Sequence, residues 1–133
     1  MKQDYKVLFE KLLHLCEILL SLVVTATGAG LLFDRGYFFY PPSIKTIEND
    51  GRIDIFIIII GLMFFIYLIW GQRNKLVTKA FLIAFGCIFM ALAFVQFWHL
   101  SGMPNVDAAI KMSHSTIGNI GFFLLVNICA YFE

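Results

Sequence analysis

Charge is scarce in this 133-residue chain: acidic and basic side chains make up 14% of it, against 60% apolar. Ten basic and nine acidic residues, gathered in short clusters, cannot clothe a body of this size in water. A soluble domain is therefore excluded and lipid must solvate much of the surface, in keeping with a strongly positive mean hydropathy. A formal charge of +1 supplies no basic field, and no arginine-rich or aromatic-interleaved stretch exists, so nucleic acid is not an expected partner. Cysteine is sparse and odd in number. Cys16, Cys87 and Cys129 each lie in an apolar run, where a free thiol behaves as a small hydrophobe, so no disulfide or thiol redox site is expected. The sequence also lacks a C-x-x-C pair, paired intramembrane aspartates, a phosphate-cradling glycine loop and a serine–histidine arrangement for acyl transfer. No catalytic residue, enzyme activity or cofactor is expected.

What the sequence does hold is four long apolar runs. Crossing roughly 30 Å of hydrocarbon at about 1.5 Å per helical residue needs about twenty residues. Helices are expected at about residues 8–33, 53–70, 77–100 and 108–132, with an outer loop at 34–52, as a single transmembrane domain of all-α class: a four-helix membrane bundle. Strands are disfavoured, because an isolated strand leaves its amides unpaired in lipid and the runs lack the period-two alternation of a barrel. The first run follows lysines as a signal peptide would, yet it is too long and Glu17 interrupts its start, so it is read as a retained span.

Orientation follows from Lys and Arg in the short flanks. Lys2, Lys6, Lys11, Arg73, Lys75 and Lys79 lie on one side, and Arg35, Lys45, Arg52 and Lys111 on the other. Both termini are accordingly expected in the cytoplasm, in a cell membrane that is expected to be the bacterial cytoplasmic one. Trp70 and Tyr131 on the inner side and Tyr37, Tyr40 and Trp98 on the outer would mark the interfaces. Pro41 and Pro42 stop the helix in the outer loop.

The uncharged part of the first run, residues 18–33, spans only about 24 Å, so the span must reach back toward Leu12 and take His14 and Glu17 to its edge. Glu10, His14, Glu17, Ser21, Thr25 and Gly28 succeed one another at three- and four-residue spacing and line one helix face. A carboxylate in the membrane must face the bundle, find a partner or hold a proton. Glu17, His14 and Glu10 are therefore a candidate proton or cation site, and the structural alternative pairs Glu17 with Lys11, His14 or a neighbouring helix. His99, Met103, Met112 and His114, at the ends of the last two helices and between them, combine imidazole and thioether as copper does, or two histidines as haem does. Small residues form the third pattern. Ala80, Ala84, Cys87 and Ala91 stripe the third helix, Gly118 and Gly121 flank Asn119 on the fourth, and Gly28 lies in TATGAG, all suited to close helix contact. Asn119 and Asn127, eight apart, are expected to hydrogen-bond across an interface.

Glu17 followed by Pro41-Pro42-Ser43 resembles the small multidrug resistance transporters, which have four helices, a membrane glutamate in the first and a Pro-Ser after it. The resemblance covers about the first third of the chain and implies that Glu17 would exchange protons for a cationic substrate. The chain departs from that family in the longer spacing from Glu17 to the prolines, in the hydrophilic stretch 45–52, and in lacking a glycine-rich aromatic motif in the third helix. The expected role is a small non-enzymatic accessory, immunity or sensing subunit acting by helix–helix association with a membrane-protein partner or a second copy, in contact with the lipid bilayer. A proton-coupled cation transporter is the alternative, and a metal- or haem-binding membrane protein a further one.

Overall fold

The computed structural model describes residues 1–34, 45–48, 50–71, 73–101 and 106–133, and their side chains except those of 45, 48, 101 and 106–113. Five helices occur in it: α1 (Lys2–Phe33), a single turn α2 (Lys45–Glu48), α3 (Gly51–Ile69), α4 (Lys75–Ser101) and α5 (Val106–Phe132). Among the described residues there is no strand. All but α2 are long and apolar enough to cross a membrane, so the chain is a multi-pass membrane protein built as a four-helix bundle.

Helix ends follow local chemistry. Helix α1 starts six residues earlier than expected, because Lys2 to Val7 are helix-tolerant and carry Asp4 in the first turn, where the helix dipole favours an anion. Asp50 caps α3, its carboxylate accepting from the Arg52 N–H at 3.0 Å. Past the other end of α3, Gly71 takes φ +78°, the left-handed turn that glycine adopts without a Cβ clash. Asn74 opens α4 by accepting from the Leu76 N–H at 2.9 Å. Its backbone is clamped by Tyr67, whose hydroxyl accepts from Asn74 N at 2.6 Å and donates to Asn74 O at 3.0 Å.

The bundle is two antiparallel hairpins. In the first, α1 and α3 approach backbone to backbone at two glycines: a Cβ added to Gly28 would lie 3.0 Å from Asp54 O, and one added to Gly61 would lie 2.8 Å from Thr25 N. Thr25 lies opposite Gly61 and Gly28 opposite Asp54 to Ile58, a register that brings Glu17 level with Leu68, near the end of α3. In the second hairpin α4 packs on α5, with Gly86 beside Phe123 and Val126. Lipid tails are as apolar as leucine, so dispersion and hydrogen bonds rather than water exclusion hold such pairs.

The hairpins join most closely at the end that carries residues 1 and 133. Phe64 of α3 is fully buried there, stacked on Phe81 at 4.9 Å and edge-on to Phe85 at 5.3 Å. Toward the opposite end they part. A cleft of about 390 Å³ lies between α1 and the α4–α5 pair, lined by Thr27, Asp34, Gln96, Ser115 and Asn119 among others. A second of about 410 Å³ lies between α3 and α4, lined by Ile53, Phe56, Ile88 and Leu92 among others.

Candidate functional site

The α1 face singled out by its polar residues turns inward. Glu17, Ser21 and Gly28 are buried, His14 and Thr25 are partly buried, and Glu10 is exposed. Ser21 and Thr25 spend their hydroxyls on their own helix, donating to Ile18 O at 2.6 Å and Ser21 O at 2.8 Å, so they can lie against α3 without orphaned donors. The helix is thereby freed of polar cost everywhere on this face but at its lower end.

At that end Glu17, wholly excluded from solvent, meets Arg73 from the short connection between α3 and α4. The guanidinium Nη2 donates to Glu17 Oε2 and to Glu133 Oε1, each at 2.5 Å. Two carboxylates, from α1 and from just past α5, thus converge on one nitrogen of a residue that belongs to neither hairpin. Charge-assisted contacts of this kind are the strong ones, and removal of the cation would leave a buried unpaired carboxylate. His14 completes the group, its Nδ1 4.0 Å from Glu17 Oε2. Glu17 Oε1 and His14 Nδ1 are both buried without a hydrogen-bond partner. Beside them a cleft of about 370 Å³ opens, lined by Val7, Glu10, Lys11, His14, Leu68, Gly71 and Arg73.

Arg73 and Glu133 belong to the site although only Glu17, His14 and Glu10 mark it in the sequence. The available signal was an unneutralised membrane carboxylate together with a connection containing Arg73, Lys75 and no acid. Asp54 is another carboxylate, buried against α1 at the start of the most apolar helix.

The remaining candidates are placed as follows. His99 is buried with Nδ1 3.2 Å from its own helix's Val95 O, His114 is exposed, and Met103 and the Met112 side chain lie outside the described residues. Among the described residues no three His, Cys, Asp or Glu groups are placed to hold a metal. Pro41 to Ser43 also lie outside the described residues. Asn119 does reach across a helix pair, donating from Nδ2 to Gln96 Oε1 at 2.8 Å. Asn127 lies on the exposed face of α5, its Nδ2 donating to Phe123 O of its own helix at 2.7 Å. Gly118 and Gly121 face open space, a Cβ on either meeting nothing within 4 Å. Ala84 is half-buried, whereas Ala80, Cys87 and Ala91 of the same stripe are exposed, because the buried line of α4 runs through Leu82, Phe85 and Phe89.

No family model matches this chain, and no curated protein or solved structure matches it.

Proposed function

We propose that this chain is a non-enzymatic subunit of the bacterial cytoplasmic membrane, with both termini cytoplasmic, that acts by helix–helix association with a second copy or another polytopic protein. The observation that carries this reading is Asn127. It is an exposed amide five residues before the end of α5, level with Gly86 of α4, and therefore within the apolar span. It rims an open groove of about 560 Å³ whose floor is small: Gly86, Cys87 and Ala91. The Nδ2 bond to Phe123 O leaves the second N–H and the Oδ1 of this amide facing hydrocarbon, which is costly, and an adjoining trough of small residues is what lets another helix come close enough to satisfy them. The test is co-purification from mild detergent. Wild type should retain a partner or a second copy, and Asn127→Leu should lose it while its own thermal unfolding is unchanged. A wild-type chain that runs as a monomer and captures nothing defeats the reading.

A second reading, proton-coupled cation transport on Glu17, is favoured by the unpartnered Glu17 Oε1 beside the cleft at His14. In liposomes, Glu17→Gln would abolish pH-driven cation flux. Absence of flux in wild type removes the idea.

A further inference from the structure

We propose that Glu17, Glu133 and His14, gathered around Arg73, form a binding site for one exchangeable proton, reached from solvent through the cleft at His14. The inference stands on the geometry of this cluster; it deepens the Glu17 reading above by naming what that site holds, but a bound proton requires no flux, so a wild type without cation flux would remove the transport reading and leave this one standing.

The two carboxylate oxygens share one guanidinium nitrogen, so they lie no farther apart than the sum of two hydrogen-bond lengths. Glu17 is completely excluded from solvent and the Glu133 side chain is 7% exposed, while Arg73 is 32% exposed, so water reaches the guanidinium more readily than the two carboxylates. One guanidinium can balance one of them. With both ionised the trio carries a surplus negative charge in a largely dry setting, and two like charges that close favour a single proton held between them. The proton balance is simple. A hydronium ion delivers H⁺ to a carboxylate oxygen and leaves as water, no other bond changes, and the trio becomes neutral. Solvent supplies the proton.

A place and a path for it are present. Glu17 Oε1 is a buried acceptor with nothing donating to it, and His14 Nδ1 is a buried ring nitrogen with no partner. Orphans of this kind are rare in folded proteins and call for a proton, a water or an ion. His14 stands between Glu17 and the cleft wall, able to take a proton on one side and pass it on at the other. The charged and titratable neighbours leave the surplus standing. On α1, Glu10 and Lys11 line the same cleft with opposite signs, and Cys16 lies one residue from Glu17. From α3, the Tyr67 hydroxyl is committed to the Asn74 backbone. Lys75 at the start of α4 is exposed, and Cys129 of α5 is a buried free cysteine.

The test is difference infrared spectroscopy of the full chain in liposomes, titrated upward from about pH 6, where solvent-exposed carboxyls are already ionised and contribute no protonated-carboxyl band. Wild type should show one protonated-carboxyl carbonyl band that disappears in a single step. Glu17→Gln and Glu133→Gln should each remove it. Glu10→Gln, at the exposed mouth of the cleft, should leave it in place, and His14→Ala should keep the band but slow its exchange in deuterium oxide. Glu133→Gln, at the edge of the bundle, serves if Glu17→Gln does not fold, with circular dichroism and a monodisperse detergent profile as the check. A wild type with no titrating band, or a band that survives either glutamine substitution, overturns the proposal.

Discussion

Gly61→Ala is a small change at the point where the structure tolerates least. The new Cβ would stand 2.8 Å from Thr25 N and 3.1 Å from Ser21 O, and nearer still to Thr25 Oγ1. Two of those three atoms are backbone of a packed helix and cannot swing away. Relief therefore requires α1 and α3 to part by several tenths of an ångström. A gap of ~0.5 Å forfeits about a quarter of each dispersion contact, and a patch the size of one buried leucine holds about 40–60 contacts of ~0.1–0.2 kcal/mol each. The loss comes to about 1–3 kcal/mol, the range found for overpacked cores. Gly28→Ala should behave likewise, since its Cβ would meet Asp54 O and Ile58 N at 3.0 Å. Gly30→Ala and Gly121→Ala are the internal controls: nothing lies within 4 Å of either Cβ, and replacing glycine inside a helix contributes up to about 1 kcal/mol of helix propensity. Reversible unfolding in mixed micelles, followed by far-ultraviolet circular dichroism, reads all four. If Gly61→Ala unfolds with wild type, or if the control pair is destabilised as much, the close α1–α3 crossing is wrong.

Arg73→Gln should destabilise the fold by about 3 kcal/mol, the cost of stranding a buried carboxylate. Adding Glu17→Gln should restore much of that loss, and a double-mutant cycle in the same assay that shows simple additivity would disprove the ion pair. Asn119→Leu should cost about 0.6–1.7 kcal/mol, typical of an interhelical hydrogen bond in a membrane, by removing the bond to Gln96. In detergent, Cys87 should react with a lipid-soluble maleimide much faster than Cys129, since the first is exposed and the second 2% exposed. Equal rates, read by mass spectrometry of single-cysteine variants, would contradict the packing of α5.

The four spans were legible because uninterrupted apolar length is a one-dimensional property and lipid leaves the chain few other conformations. The inward face of α1 was legible for a related reason: polar residues at helical spacing mark a direction on an otherwise apolar cylinder. Where a helix is apolar all round that mark vanishes, which is why Gly61, between Ile60 and Leu62 in the middle of α3, gave no sign that it carries the crossing. Small residues on α4 mark a surface outside the bundle and not its core. Ala80, Cys87 and Ala91 share a stripe but do not lie against α5, because the fold packs the phenylalanines inward and leaves the small groups out. The partner of Glu17 was hidden by distance. Arg73 lies 56 positions away, and only the antiparallel register of α1 on α3 returns the chain to the level of Glu17 just where the connection to α4 begins.

That register also explains why the cluster sits where it does. Each hairpin is close-packed within itself, whereas among the described residues the hairpins meet around Phe64, Phe81 and Phe85, at Phe9 edge-on to Phe132, and through Arg73. The aromatic contact is non-directional and would survive a small rotation of one hairpin on the other. The ion pairs would not, since they fix one nitrogen against an oxygen from each side. A fold pinned at one end by a polar clasp and open at the other by clefts of about 390 and 410 Å³ has its most specific inter-hairpin contact in the place a proton can reach. Protonating one carboxylate leaves Arg73 with a single anionic partner, and the contact that sets the angle between the hairpins weakens while the packing inside each is untouched. Distances between spin labels at the open end, one on each hairpin, should therefore broaden in acid in wild type and stay broad at every pH in Arg73→Gln. A distribution that ignores both changes would mean that the aromatic contact alone holds the hairpins.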